Sequence, residues 1–162
     1  MAHIQLSSTD LSRFLREKGI TAEIIHLEEE THTVAAAAAA LGVQPEQIIK
    51  SVLFLADGRP ILIIANGRTR IDRKQLADYL GVSRRRMKIA SADQVLSMTG
   101  YQAGALPPFG HQQPIRTLVE EGVAKQDVIY GGGGDTNALM RLTTAELLRI
   151  AGADVVSLHE EG

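Results

Sequence analysis

Apolar positions along the chain follow two spacings, and each spacing predicts its own elements. Leu11, Phe14 and Leu15 recur at i, i+3 and i+4. This predicts a first helix from near Ser8 to Lys18, with Asp10 in its first turn and Gly19 as its C-terminal cap. "AEIIHL" (22–27) reads as a short strand. Thr31 or Thr33 then caps an alanine-rich helix ended by Gly42, whose small side chains suit close packing on a sheet. "IIKSVLFLADGRPILIIANG" predicts two strands joined by Asp57-Gly58, a hairpin signal. Asp72 caps a helix carrying Leu76, Ala77 and Leu80 and closed by Gly81, and a short strand lies near 87–90. Ser91 with Gln94 forms a capping-box pattern for a helix through Met98. A loop rich in Gly and Pro runs from Thr99 to Pro114. "DVIYGGGG" and "ALMRL" read as strands, Thr143 with Glu146 starts the last helix, through Ile150, and "DVVSL" is a final strand. Strands and helices mix without strict βαβ alternation. The expected fold is therefore α+β, a single domain over 1–162 with a mixed β-sheet flanked by helices.

Composition narrows the functional classes. The chain has 162 residues, 44% of them hydrophobic, and no cysteine, which removes a thiol nucleophile, a disulfide framework and Cys-ligated zinc. No apolar window reaches the length of a membrane span and no leader-like segment opens the chain, so a cytoplasmic protein with no membrane partner is expected. The formal net charge is −2, but the charge is uneven. Arg68, Arg70, Arg73, Lys74, Arg84, Arg85, Arg86 and Lys88 fall within one stretch that holds only two acids, Asp72 and Asp78. Such a local surplus reads either as a phosphate footprint or as a solvated helix flank.

Three places could carry chemistry. Lys50 interrupts the apolar run "QIIKSVLFL" and shares a strand face with Ile48, Val52 and Phe54. Either its stem packs while the ammonium reaches water, or the ammonium is aimed into a pocket to meet an anion or a polarised carbonyl. The loop "TGYQAGALPPFGHQ" (99–112) places three glycines and two prolines between Gly100 and His111. Loops of this kind bring backbone groups close to a ligand, and they also serve as plain connections with Phe109 tucked inside. "YGGGGDTN" (130–137) lacks the Gly-Lys-Ser/Thr of a P-loop, leaving close backbone approach or a bulge, with Asp135 and Asn137 as polar contacts. His3, His26, His32, His111 and His159 show no metal-ligand spacing, so no metal or other cofactor is expected. Ser51 has no GxSxG elbow around it, and Glu120-Glu121 reads as an exposed charge run.

In order, the Thr-capped alanine helix, "IIKSVLF", "RIDRKQLADYLG", "TGYQAGALPPFG" and "GGGG" resemble the YbaK/ProX family of aminoacyl-tRNA deacylases, relatives of the editing domain of bacterial prolyl-tRNA synthetases. The likeness covers roughly residues 20 to 158, and its most specific parts are Lys50 and a Gly-x-x-x-Pro motif, here Gly104-Ala-Leu-Pro-Pro108. The resemblance implies a free-standing editing enzyme that hydrolyses the ester of a mischarged tRNA, often tRNA(Pro). Lys50 would orient the tRNA 3′ end, Gly104 and Pro108 would position the aminoacyl group, and the tRNA's ribose hydroxyl would help activate water. Thr99, Gly100, Gly110, His111, Gly132, Gly133, Asp135 and Asn137 become substrate-binding candidates. The basic stretch, Arg68, Arg70, Arg73, Lys74, Arg84, Arg85 and Arg86, becomes a candidate to hold acceptor-stem phosphates. Prolyl-tRNA synthetase is an implied partner beside tRNA itself. Members selective for cysteinyl esters carry "SGGKRG" where this chain reads "GGGGDTN", so alanyl, seryl and threonyl esters stand level with cysteinyl. The competing classes are a non-catalytic tRNA- or RNA-binding module of the same fold and a small-nucleotide-binding protein built on the glycine run.

Overall fold

A computed structural model describes residues 5–31 and 33–160; His3 and His32, counted among the five histidines, lie outside them. Local signals place most elements where the residue pattern puts them. Helix α1 (Ser8–Glu17) opens with a capping box between Ser7 and Asp10. Helix α2 (Val34–Leu41) is capped by Thr33, whose side chain accepts the N–H of Ala36, and it ends on Gly42 in the left-handed conformation. Asp72 caps α3 (Arg73–Leu80), Ser91 and Gln94 form the box of α4 (Ala92–Thr99), and Thr143 caps α6 (Thr144–Ala151). Strands β2 (Ile49–Ala56) and β3 (Arg59–Asn66) pair antiparallel through Asp57 and Gly58, at φ 51° and 81°, as a two-residue turn with both central residues at positive φ requires.

The architecture is α+β, as expected, but its strands divide between two sheets instead of forming one. β1 (Ala22–His26), β7 (Ala138–Thr143) and β6 (Val128–Gly132) form an antiparallel sheet in the order β1-β7-β6. The second sheet is mixed, ordered β4-β2-β3-β5-β8, with β4 (Met87–Ile89), β5 (Arg116–Glu120) and β8 (Asp154–Val156) completing it. β3, β5 and β8 run parallel, while β4 and β2 are antiparallel to their neighbours. A single parallel bridge, Ile48 to Tyr130, joins the two sheets at the start of β2.

Two faces of the mixed sheet are covered differently. One carries Leu53, Leu62, Ile64 and Val119 towards Ile129, Met140 and Leu142 of the other sheet, with Leu11 and Leu15 of α1, Leu147 of α6 and Phe109 filling in. The opposite face packs Phe54, Ile61, Ile63 and Leu118 under Leu76 and Ala77 of α3. Each fully buried leucine or isoleucine contributes roughly 2 kcal/mol. Of the alanine run, only Ala37 and Ala38 of α2 pack on Ile48 and Tyr130 at the sheet junction, while Ala35, Ala36, Ala39 and Ala40 are exposed. Glu120-Glu121 departs from expectation. Glu120 is 1% exposed, because its carboxylate accepts the N–H groups of Gly122 and Leu158 at 3.1 and 2.7 Å, one at the start of α5 (Glu121–Ala124), the other after β8.

Candidate functional site

Three stretches of backbone converge where the sheets join. The loop after α4 packs its Gly104–Pro108 segment directly on the end of β6. An alanine Cβ at Gly132 would sit 2.6 Å from the carbonyl carbon of Leu106 and 3.1 Å from the carbonyl oxygen of Ala105. At Gly131 it would meet the Ile49 side chain at 3.2 Å and Pro108 Cδ at 3.6 Å. The Gly134 N–H donates to the Ala105 carbonyl at 3.0 Å, and the Gly133 N–H donates to Ala138 at 3.1 Å. Gly131 and Gly132 therefore lack side chains where the protein's own motif loop approaches, while Gly133 and Gly134 clear the backbones of Ala138–Leu139 and Ser7–Ser8.

Gly104 is different. Its φ is not positive, and an added Cβ would find only Thr136 Cγ2, at 3.9 Å, an ordinary contact. Nothing inside the fold requires glycine there. Thr136 in turn donates to Glu30 at 2.7 Å, which ties the glycine turn to the segment between β1 and α2. At the far end of that segment Val34 sits on Gly67, whose N–H donates to the Ile48 carbonyl at 2.7 Å. Lys50 stands two residues on, paired with Ala65. Alternation places Ile49 against the Gly131–Pro108 junction and Lys50 on the face of Ile48, beside α2. Lys50 is exposed, and no carboxylate among the described residues lies within ion-pair distance of its ammonium. The apolar run thus turns its lysine outward, at the second residue of β2.

Other sequence candidates are engaged within the protein. Thr99 is buried, donating to the Val95 carbonyl at 2.7 Å and accepting the Tyr101 N–H at 3.1 Å. Gly100 caps α4 with φ 85° against Leu6, and Gly110, φ 76°, lies against Phe14. His111 Nε2 is 2.8 Å from the Pro107 carbonyl, and its ring stands edge-on to Tyr101. Burial pushes His111 below the ordinary imidazole value, so at neutral pH the ring is neutral and donates Nε2–H to Pro107. Asp135 accepts from the Ser8 hydroxyl at 2.5 Å and from its N–H at 3.3 Å, and Asn137 donates to the Leu27 carbonyl at 3.1 Å. These side chains anchor α1 and the segment before α2. Ile49, Glu30 and Thr136, which also shape the site, carry no local signal, since each acts through a partner distant in sequence.

The basic stretch does not form one patch. Arg68 and Arg70 follow β3 at the Lys50 end, paired with Glu46 at 3.2 Å and Glu160 at 3.8 Å. Arg84, Arg85 and Arg86 form a 3-10 turn before β4, where Arg86 pairs with Asp57 at 2.6 Å in the hairpin turn. The two groups are separated by the length of β3, about 23 Å at the usual rise per residue. Between them Arg73 donates to the Met87 carbonyl, and Lys74 occupies the first turn of α3.

The same fold recurs in solved proteins. A structure described as a "putative trans-editing enzyme for prolyl tRNA synthetase" matches with TM-score 0.89 at 28% identity, over 95% of this chain and 97% of that one. The hypothetical protein APE2540 matches with TM-score 0.85 at 29% identity, over 93% and 99% of the two chains. In sequence, the chain is 29% identical to the uncharacterized protein YwhH of Bacillus subtilis over 140 residues, 86% of this chain and 85% of that protein. It is 30% identical over 95 residues to the proline–tRNA ligase of Limosilactobacillus fermentum, 56% of this chain but 16% of the ligase. Residues 28–150, which hold Lys50, the Gly104–Pro108 loop and the glycine run, match the aminoacyl-tRNA editing domain, and the chain belongs to that family.

Proposed function

We propose that the protein is a trans-editing deacylase that hydrolyses the ester between a small amino acid and the terminal adenosine of a mischarged tRNA, with tRNA(Pro) the first candidate. Family membership supports editing. The observation that carries the reading is Gly104: in a loop whose other glycines are fixed by packing or positive φ, it alone faces space that the fold leaves open. A glycine there lets an aminoacyl group lie against backbone.

In this reading the exposed Lys50 ammonium holds the 3′-terminal phosphate or sugar, and the Gly104–Pro108 backbone fixes the aminoacyl carbonyl. Water attacks that carbonyl, assisted by the tRNA's own ribose hydroxyl. The carbon–oxygen bond to the ribose then breaks, releasing the free amino acid and an intact tRNA. An aminoacyl ester is already reactive, so orientation and stabilisation of the developing oxyanion supply much of the rate without a side-chain nucleophile. Editing of this kind is needed where a synthetase pocket separates small side chains weakly. Alanyl, cysteinyl, seryl and threonyl esters are the substrate set. A prolyl-tRNA synthetase as delivering partner and a cytoplasmic location complete the proposal.

The test is deacylation of tRNA(Pro) and matched tRNAs charged with Ala, Cys, Ser, Thr and Pro, with Lys50→Ala beside the wild type. Selective hydrolysis that Lys50→Ala reduces by about 100-fold or more, with an unchanged melting temperature, supports the enzyme. Binding of tRNA with no hydrolysis of any ester would replace it with a non-catalytic module.

A further inference from the structure

A cleft of about 580 Å3 opens beside α5 at the end of β3, and its lining includes Asn66, Arg70, Glu120, Glu121, Lys125 and His159. Glu120, Glu121 and His159 have no part in the deacylation reading, yet they offer ligand atoms that all lie within 4.8 Å of one another. His159 Nδ1 is 3.5 Å from Glu120 Oε1 and 3.5 Å from Glu121 Oε1. Those separations are too long for N–H···O hydrogen bonds, which cluster near 2.9–3.0 Å. Nδ1 is nonetheless shut off from solvent and has no hydrogen-bond partner. A buried ring nitrogen in that state is costly unless something else occupies its lone pair. Donors bound at about 2.0–2.2 Å in a tetrahedron stand roughly 3.4 Å apart, close to the two separations of 3.5 Å from His159 Nδ1.

The three donors are held in place from behind. Glu120 uses Oε1 and Oε2 to accept the N–H groups of Gly122 and Leu158, which fixes its carboxylate and leaves further lone pairs on Oε1. The Ser157 hydroxyl donates to Glu121 Oε1 at 3.4 Å. His159 is fixed by an antiparallel bridge to Ile71 and by the Glu160 N–H donating to the Arg70 carbonyl at 3.0 Å. Such outer contacts are what orient metal ligands. The charges also permit a cation. The cleft's cations are Arg68, Arg70 and Lys125; the arginines pair with Glu46 and Glu160, and among the described residues no ion pair joins any of the three to Glu120 or Glu121.

We propose that Glu120, Glu121 and His159 form a site for a divalent transition-metal ion, Zn2+ first, with a fourth position open to the cleft. Two carboxylates neutralise the ion, and a neutral imidazole selects zinc-like ions over Mg2+ and Ca2+, which prefer all-oxygen sets. The ion would bind the start of α5 to the segment after β8, positions 38 residues apart, as a staple at the Arg70 side of the molecule. No local spacing announces it, because two ligands are adjacent and the third lies far along the chain.

The experiment is titration of the full chain, stripped with a chelator and dialysed, with ZnCl2 by calorimetry, and with Co2+ followed by its visible absorption. Expected are one saturable Zn2+ per chain, a four-coordinate Co2+ spectrum and a melting temperature that rises with Zn2+. His159→Gln and Glu121→Gln should each weaken binding by about 100-fold or more and abolish the thermal shift. If His159→Gln does not fold, Glu121→Gln, whose carboxylate lies at the surface, carries the test. Absence of saturable binding, or equal Zn2+ affinity in the folded variants, would overturn the site and leave a histidine–carboxylate contact in its place. None of these readouts uses tRNA, so they stand or fall apart from the deacylase proposal.

Discussion

Gly132 and Gly104 belong to neighbouring backbones, and the structure assigns them opposite consequences on substitution. In Gly132→Ala the new methyl would lie 2.6 Å from the Leu106 carbonyl carbon. Carbon atoms in contact need about 3.5 Å, so the motif loop or β6 must retreat by about 1 Å. Both neighbours are backbone, and neither can swing aside as a side chain would. Forced overpacking of this kind costs about 1–3 kcal/mol. Displacement of a positioning loop by about 1 Å can lower turnover by about 100-fold. In Gly104→Ala the methyl meets only Thr136 Cγ2 at 3.9 Å, and the backbone is already acceptable to alanine. Stability should hold or rise by up to about 1 kcal/mol, since alanine restricts the unfolded chain. Its effect should appear in function, because the methyl enters the space assigned to the aminoacyl group, and at least a tenfold fall in deacylation is expected. The assay pairs urea unfolding with single-turnover deacylation of mischarged tRNA for both variants. A Gly104→Ala protein that edits at the native rate would remove the reason for placing the substrate there. A Gly132→Ala protein with native stability and native rate would refute the claim that Gly132 makes room for the motif loop.

Two further outcomes follow from single groups. Tyr101 is fully buried with an unpartnered hydroxyl, and burial, reinforced by Asp10 and Asp135, pushes its phenol up to about 12. The folded-state value is raised, so this stabilisation is complete below about pH 10 and is lost as pH rises towards 12; Tyr101→Phe should flatten that loss in alkaline melting curves and gain about 1 kcal/mol near neutrality. Arg68 and Arg70 stand at the Lys50 end of β3, Arg84 and Arg85 about 23 Å away. Arg68→Gln/Arg70→Gln should therefore weaken tRNA binding and flatten its salt dependence by roughly 0.7–0.9 per lost phosphate contact, more than Arg84→Gln/Arg85→Gln does; the reverse order in a salt titration would place the acceptor stem at the other end.

What could be read from sequence divides by range. Thr33, Asp72, the Ser91–Gln94 box, Thr143 and the Asp57-Gly58 turn each act within four residues, and each stands where the pattern put it. The separation into two sheets depends on pairings such as β1 with β7, more than 110 residues apart, and nothing local announces which strands share hydrogen bonds. β5 escaped notice for a related reason. Its five residues end in Glu120, which reads as surface until two backbone donors, one 38 residues on, are found to hold it inside. A buried carboxylate is stable there because both oxygens are hydrogen-bonded, a condition that only the folded chain supplies.

The candidate site was legible by its composition but not by the reason for it. In sequence, Gly104 and the glycines from 131 to 134 look alike, as positions where a ligand calls for bare backbone. What separates them is the place a Cβ would occupy, and this is decided by chain segments remote from each glycine. For Gly132 and Gly134 that place is filled by the Leu106 carbonyl and by the backbone of Ser7 and Ser8. For Gly104 it is open. A glycine that packing demands is explained by the fold, and only one left unexplained by packing argues for a ligand. By that criterion the four-glycine run is explained by packing, and the less conspicuous glycine of the motif loop is the one at which the proposed deacylase would seat its substrate.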